Sequence, residues 1–337
     1  ALADAGDTVE DANLDESNAN AAILRLFNLK EWSEEIVKDI DTLRSGEITE
    51  IFDVAFEHEM NSLIEETYKQ YELTNYKNAL KTGLFDFQTA RDYYREATGT
   101  MHKDLVLRYI ETQALMLAPI APHFAEYVYR DVLGKKGSVQ TANFPRASKP
   151  IDRSILAGLE YVRALQRSIR EAEGQALKKK KGKGAEVDQS KPVKLTLLVS
   201  KTFPEWQAGC IEIVREMFAN QTLNDNKMIK EKVNPKEMKR AMPFISLLKQ
   251  RLATESPEAV FNRELQFNET ETIKATIDNI KKAAQQLKVE EIEVLAFPHG
   301  SNVATNIFTG QEVELPSAPK AIESALPGNP SILFNNI

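Results

Sequence analysis

Basic residues recur at helical spacing in one stretch of the chain, an arrangement that could bind phosphates. Lys77 and Lys81 lie four residues apart, and Arg91 and Arg95 repeat that interval with two tyrosines between them. Residues four apart share one face of a helix, so these cations could contact successive backbone phosphates while a tyrosine ring packs on a sugar or a base. Aspartates in the same stretch dilute the positive charge, and the alternative interpretation is a bundle helix with a mixed, solvated face.

Two later helical regions, predicted over residues 152–173 and 224–254, add further cations. The candidates in them are Arg163, Arg167, Arg170, Lys239 and Arg240. Charge is also uneven along the chain, since residues 1–75 hold 5 basic and 19 acidic residues, a net of −14, against a net of +7 for residues 76–337. A positive surface attracts nucleic acid, although an excess of this size is also common in proteins that bind nothing charged.

The sequence contains no motif or ligand spacing that would group residues for catalysis or metal binding. His102 and His123 each lack a second histidine, cysteine or carboxylate at ligand spacing, and a zinc site requires three or four ligands. The single Cys210 excludes an internal disulfide framework and suits a reducing compartment. No P-loop or nucleophile elbow is present. We therefore predict no catalytic residue and no metal site in this chain.

The elements that must position these residues are helices organised around two prolines. Apolar residues at helical spacing run from residue 105 to residue 117, and Pro119 ends that helix because it lacks an amide donor and its ring clashes with the preceding turn. Pro122 suits the first turn of the next helix. Further amphipathic patterns precede and follow this corner. We therefore predict a mainly α protein that begins with a helical bundle over residues 18–173.

Composition and periodicity change after the bundle. Residues 174–192 hold few apolar side chains and carry five lysines between residues 178 and 183, which predicts a mobile linker that adds non-specific RNA affinity. Residues 193–199 alternate apolar and polar as a half-buried strand does, and a second strand is predicted over residues 289–297. Because amphipathic helices lie between these strands, residues 193–337 are predicted to form a smaller α+β domain.

Three motifs resemble one family of enzymes. The stretch Leu117-Ala-Pro-Ile-Ala-Pro-His-Phe-Ala-Glu126 resembles the anticodon-binding helical bundle of class I aminoacyl-tRNA synthetases. The stretches Asn78-Ala-Leu-Lys-Thr-Gly-Leu-Phe-Asp-Phe-Gln-Thr-Ala-Arg-Asp-Tyr-Tyr-Arg95 and Ala1-Leu-Ala-Asp-Ala-Gly-Asp-Thr-Val-Glu-Asp-Ala-Asn13 are similar to cytosolic leucyl-tRNA synthetases of the eukaryotic and archaeal type. The resemblance covers essentially the whole chain.

The resemblance implies that the chain is the C-terminal part of a larger enzyme, which agrees with a first residue that is Ala rather than Met. Residues 1–17 then follow the catalytic domain, while the bundle and the C-terminal domain bind leucine tRNA, with the extreme C-terminus at its long variable arm. ATP and magnesium belong to the catalytic domain, because neither a His-Ile-Gly-His-like motif nor a Lys-Met-Ser-Lys-Ser loop occurs here. The leading RNA contacts under this resemblance are Lys77, Lys81, Arg91 and Arg95.

Other interpretations stay open. An isoleucyl-, valyl- or methionyl-tRNA synthetase is the nearest alternative, although the Gly83–Gln88 stretch and the lack of a cysteine-rich zinc tail favour the leucine enzyme. A protein-interaction module is the second, with the acidic helices before residue 75 and the C-terminal domain as its surfaces. The chain lacks the run of about 20 apolar residues that a transmembrane helix needs, and we expect it in the cytoplasm.

Overall fold

A computed structural model describes most of the chain, namely residues 1–8, 10, 15–178, 187–235 and 237–337. The lysines of the predicted linker between residues 179 and 183 lie outside the described residues, as do residues 9 and 11–14 of the predicted N-terminal segment. The described chain divides into two compact units, residues 1–156 and residues 157–337. The N-terminal unit is helical, and the C-terminal unit contains a β-sheet.

Helices build the N-terminal unit. Its α-helices are α1 (Leu2–Ala5), α2 (Glu16–Lys38), α3 (Ile51–Glu72), α4 (Tyr76–Leu80), α5 (Phe87–Thr98), α6 (Lys103–Leu117) and α7 (Pro122–Glu126). Two π-helical segments, Lys81–Asp86 and Tyr127–Val132, join α4 to α5 and extend α7. Short 3-10 turns occur at Ile40–Thr42 and Val139–Thr141. The predicted mainly helical start of the chain is confirmed.

Aromatic rings join four of these helices in a buried core. Phe56 of α3 stacks on Tyr94 of α5 with 4.4 Å between ring centroids, and Phe87 of α5 stacks on Tyr109 of α6 at 4.7 Å. Trp32 of α2 meets Tyr109 edge-on at 5.7 Å. Each such pair adds about 0.5–1.5 kcal/mol beyond the burial of its area. The faces of α3, α5 and α6 that bury these rings therefore decide which side chains remain at the surface.

The proline corner lies where the sequence predicts it. Helix α6 ends at Leu117 and helix α7 begins at Pro122, which occupies the first turn. The amide of Ala121 donates to the carbonyl of Leu117 at 2.8 Å, which closes the turn between the helices. A proline inside either helix would cost about 3 kcal/mol, so its position at a helix boundary is the favourable one.

The long helix α8 (Arg153–Ala176) lies mostly in the C-terminal unit. Its buried residues Tyr161, Leu165 and Ile169 belong to the same core as the strands of that unit. The predicted end of the bundle at residue 173 therefore differs from the division that the structure makes at residue 156. An amphipathic pattern predicts that a helix buries one face, but it does not identify the partner that covers this face.

The sheet contains five strands within the described residues. They are β1 (Val193–Ser200), β2 (Val289–Phe297), β3 (Val303–Asn306), β4 (Glu312–Glu314) and β5 (Ser331–Asn336). Their order is β4-β3-β2-β1-β5; β1 and β2 are parallel, and the other neighbours are antiparallel. Both predicted strands, and with them the predicted α+β class of this part of the chain, are confirmed.

Helices cover both faces of this sheet. On one face, Leu195 and Leu197 share a core with α8, α13 (Glu269–Ala275) and α14 (Ile277–Lys281). On the other face, Leu198 packs with residues of α15 (Pro319–Ser324). The prediction of a half-buried β1 is wrong, because a central strand with both faces covered buries its alternate residues as well.

A separate helical layer lies between β1 and β2 in the chain. Its members, here called the crossover helices, are α9 (Glu205–Ala219), α10 (Asn226–Lys232), α11 (Met238–Leu252) and α12 (Pro257–Phe261). They enclose a core of their own, which contains Cys210, Val214, Met217 and Ile245. The predicted helices after Pro204 and over residues 224–254 are confirmed. None of the helices in the described part of the chain has the length and apolarity needed to span a membrane.

Candidate nucleic-acid interface

The candidate cations of the bundle lie on the helical run from α4 to α5, and aspartates neutralise two of them. The Lys81 ammonium lies 2.6 Å from the Asp86 carboxylate, and the Arg95 guanidinium lies 3.4 Å from Asp92. Both basic side chains remain more than half exposed, at 62% and 52%. Ion pairs this exposed contribute only about 0–1 kcal/mol, so a phosphate could displace them, but it would approach the carboxylates as well.

Arg91 differs from its neighbours because the fold buries it. The residue is only 9% exposed, and its guanidinium lies 4.2 Å from the centroid of the Trp32 ring and 5.5 Å from that of Tyr109. Its Nε and Nη2 atoms both donate to Asp92, at 3.1 and 2.9 Å. Burial raises the pKa of Tyr109, which therefore stays neutral beneath the cation. This geometry makes Arg91 a packing residue of the bundle.

Lys77 lies at the start of α4, beside the N-terminal segment of the chain. Its backbone amide donates to the Asp7 carboxylate at 3.1 Å, and its ammonium donates to the carbonyl of Ala5 at 3.4 Å. The side chain is exposed, but Asp7 reduces the local positive potential. Of the four leading candidates in the bundle, each therefore contacts an acidic residue through its side chain or its backbone.

The arginines of α8 have a different environment. Arg167 and Arg170 are exposed, Arg163 is half-buried, and Tyr161 and Ile169 on the same helix face the core. Among the residues that the structure describes, neither Arg167 nor Arg170 forms an ion pair or a hydrogen bond through its side chain, although an acidic residue follows Arg170 directly. Two cations one turn apart on an exposed helix face are suited to neighbouring phosphates of one strand.

The two candidates of the crossover helices lie at the start of α11. Arg240 pairs with Glu237 at 2.7 Å and lies 4.9 Å from the centroid of the Trp206 ring. Lys239 is exposed and has no carboxylate partner within the described residues. This pair thus offers one uncompensated cation, whereas α8 offers two.

The two buried histidines, His102 and His58, have structural roles. His102 is buried at the start of α6, where its Nδ1 accepts from the amide of Asp104 at 3.3 Å. His58 on α3, which the sequence analysis passed over, accepts from the amide of Asp152 at 3.1 Å through Nδ1. Burial lowers the pKa of His58 and the nearby Lys149 lowers it further. Across the described ranges, no three His, Cys, Asp or Glu side chains are grouped so as to hold a metal ion.

The C-terminal unit also contains the end of the chain and a pocket lined in part by basic residues. Phe334 of β5 is buried in the sheet core, whereas the final residue, Ile337, is 60% exposed. Two basic residues without a motif of their own, Lys201 and Arg263, line a pocket beside β1. An arginine between two phenylalanines in sequence, Phe261 and Phe267, is a weak signal, and spacing alone does not identify it as part of a pocket.

Comparison with known protein families assigns both parts of the chain. Residues 53–189 match the family model described as the anticodon-binding domain of tRNA ligase. This range contains α4 to α8 and all but the first two residues of α3, and with them the candidate cations of the bundle and of α8. Residues 199–266 match the model described as the RagD-binding domain of leucine–tRNA ligase, and this range contains the crossover helices. The fold and the first match thus define a helical anticodon-binding domain of the tRNA ligase class.

Individual relatives narrow this class. The chain is 71% identical to the cytoplasmic leucine–tRNA ligase of Saccharomyces cerevisiae over its whole length, and 41% identical to that of Neurospora crassa, also over its whole length. It is 38% identical to the cytoplasmic leucine–tRNA ligase of Pongo abelii over 87% of its length. The chain belongs to the leucine–tRNA ligase family. It spans 31%, 30% and 25% of the lengths of these three relatives.

Proposed function

We propose that this chain is the tRNA-binding part of a cytoplasmic leucine–tRNA ligase. It holds leucine tRNA by the phosphate backbone and so directs the acceptor end towards a catalytic domain of the same parent protein. That domain lies outside this chain and performs the ATP-dependent, magnesium-dependent aminoacylation. We assign no residue of this chain to ATP or magnesium.

The exposed face of α8 is the observation that carries this proposal. Arg167 and Arg170 lie one turn apart, they have no partner among the described residues, and the opposite face of the helix is held by the sheet core. A helix that presents two uncompensated arginines can fix the position of a nucleic-acid backbone. Because the guanidinium group is planar and preorganised, little side-chain entropy is lost for each hydrogen bond that forms. The family matches over residues 53–189 and over the whole chain support RNA as the partner.

Positioning is the contribution that such contacts make to a reaction. Phosphate contacts carry no base specificity, but they set the register and orientation of the RNA. Correct orientation of two reactants lowers the entropic part of a barrier, which accounts for a catalytic effect without a catalytic side chain. Because each contact releases counterions from the RNA, affinity should fall steeply as salt rises.

Equilibrium binding to three RNAs tests the proposal. The chain is titrated with leucine tRNA, with the same tRNA lacking its long variable arm, and with an unrelated tRNA, each at two salt concentrations. A preference for intact leucine tRNA that survives the higher salt is the expected result. Equal binding to all three that disappears with salt would reduce the interface to a generic basic surface, and no binding at either salt would exclude this chain as a tRNA-binding unit.

A protein-interaction function of the crossover helices is the second candidate. Their core is separate from that of the sheet, and Leu247 on α11 is 51% exposed. The description of the matching family model names RagD as the partner. Burial of this exposed apolar side chain against a partner would remove apolar area from water and so favour binding.

Two variants separate this second function from the first. Leu247→Ser should weaken binding of purified RagD and leave tRNA affinity unchanged, while Arg167→Gln with Arg170→Gln should do the reverse. Binding of RagD that is unaltered by Leu247→Ser, together with unaltered thermal unfolding, would exclude this part of α11 as the contact.

A further inference from the structure

A pocket of about 660 Å³ lies at the carboxyl end of strand β1. Its wall includes Ser200, Lys201 and Phe203 on the strand side, Arg263 and Phe267 on the connection between α12 and α13, and Pro327. Ligands of α/β sheets often occupy the crevice beyond the carboxyl ends of parallel strands, and β1 and β2 are the parallel pair of this sheet. The volume falls in the range of about 300–1,000 Å³ that is usual for small-molecule sites.

Arg263 is the distinctive side chain of this pocket. Its guanidinium lies 3.4 Å from the centroid of the Phe203 ring, and Nη2 donates to the side-chain oxygen of Gln207 at 2.6 Å. In the described part of the chain it has no carboxylate partner. Burial lowers the pKa of Arg263 to about 10, which reflects a cation that is desolvated without a compensating anion. A guanidinium held flat against a ring keeps its orientation and can bind a carboxylate or a phosphate through two donors.

The other charged groups of the pocket are arranged so that they do not cancel this cation. Lys201 is exposed at the rim and forms no ion pair within the described residues. The buried Glu269 carboxyl accepts from the amide of Gly328 at 3.0 Å through Oε2. Burial raises the pKa of Glu269 and so favours its neutral form. Glu264 also lines the pocket, but it is exposed to solvent, which screens its charge.

We propose that this pocket binds a small organic anion that joins a phosphate or carboxylate group to a flat, apolar body. The anionic group binds Lys201 and Arg263, and the body packs against Leu265 and Phe267. The proposal does not depend on tRNA binding, because none of these residues belongs to the exposed face of α8. Phosphate and carboxylate ligands share this chemistry, and the choice of probes distinguishes them.

Calorimetric titration of the full chain with phenyl phosphate, benzoate and inorganic phosphate tests this proposal. At least one of phenyl phosphate and benzoate should bind about tenfold more tightly than inorganic phosphate, because the flat body buries additional apolar area. Tighter binding of phenyl phosphate assigns a phosphate ester to the pocket, and tighter binding of benzoate assigns a carboxylate. No binding of either organic anion at millimolar concentration, or equal binding of inorganic phosphate, would overturn the proposal.

Variants connect the binding to the named residues. Arg263→Gln should weaken the tighter probe by about tenfold, and Lys201→Gln by about threefold, as expected for a buried and an exposed contact to one anion. Arg240→Gln is the matched control, since Arg240 stacks on an aromatic ring in the same unit but does not line the pocket. Lys201 is exposed, so its replacement should preserve the fold even if Arg263→Gln does not. Affinity that is unchanged in Lys201→Gln, or equally reduced in the Arg240→Gln control, would contradict the assignment.

Discussion

The bundle helix α5 and the long helix α8 each carry two arginines about one helical turn apart, yet they present them differently. On α5, Asp92 contacts both Arg91 and Arg95, and Arg91 is buried against the aromatic core. On α8, Arg167 and Arg170 point away from the core and have no partner among the described residues. Helical spacing therefore creates a candidate surface, while neighbouring carboxylates and burial decide whether its charge is available.

The strongest test of this difference replaces both exposed arginines of α8. Arg167→Gln with Arg170→Gln should weaken binding of leucine tRNA by about ten- to a hundredfold at low salt, because two phosphate contacts are lost. The slope of log affinity against log salt should also become shallower by about 1–2. Filter binding or anisotropy at several salt concentrations measures both quantities.

The matched change in the bundle is Lys81→Gln with Arg95→Gln, which removes the same formal charge. Because both side chains are already paired with aspartates, we expect a loss of less than about threefold. A larger loss of tRNA affinity in the bundle variant than in the α8 variant would contradict this expectation. It would assign the interface to the bundle cations that the family resemblance favours.

A stability measurement separates Arg91 from the exposed arginines. Arg91→Gln removes the cation from the Trp32 and Tyr109 rings and should lower the free energy of unfolding by about 1–3 kcal/mol. Urea unfolding followed by Trp32 fluorescence, in a Trp206→Phe background, reports on the N-terminal unit. Arg95→Gln serves as the control and should leave the unfolding midpoint unchanged. A midpoint that does not move in Arg91→Gln would show that the buried contacts contribute no net stability.

Removing the shared aspartate tests the opposite direction. Asp92→Asn should raise RNA affinity by about two- to threefold, since it releases the charge of Arg95 while keeping the size of the side chain. Asp41→Asn, which removes the exposed partner of Lys103 elsewhere in the unit, controls for the change in net charge. Equal gains in the two variants would indicate a general electrostatic effect.

The smallest predicted effect concerns pH. The pKa of His58 is lowered from its ordinary value of 6.5, so the unfolded chain binds a proton more readily than the folded chain. Stability of the N-terminal unit should therefore be complete above about pH 6.5 and decrease as the pH falls below that value. His58→Gln should reduce this decrease in the same Trp32 unfolding assay. An identical pH dependence in both proteins would assign the effect to other groups.

Much of the secondary structure could be read from local patterns. The corner at Pro119 and Pro122, strand β2 and the helix after Pro204 follow from backbone restrictions and from periodicity, which act within a few residues. The partner of α8 could not be read in this way. Its apolar face suits a bundle and a sheet equally well, and only the completed fold shows Leu165 and Ile169 in the core of the sheet.

The candidate sites likewise have some properties that follow from local sequence and others that depend on the complete fold. Residue types and spacing determined that Arg91, Arg95, Arg167 and Arg170 could contact phosphates, because charge and helical periodicity are local properties. Only the tertiary structure decided that Arg91 is buried, that the two α8 arginines are exposed, and that Arg263 lines a pocket. The physical reason is that burial, ion pairing and the alignment of an aromatic ring depend on residues distant in sequence, so no local pattern contains them.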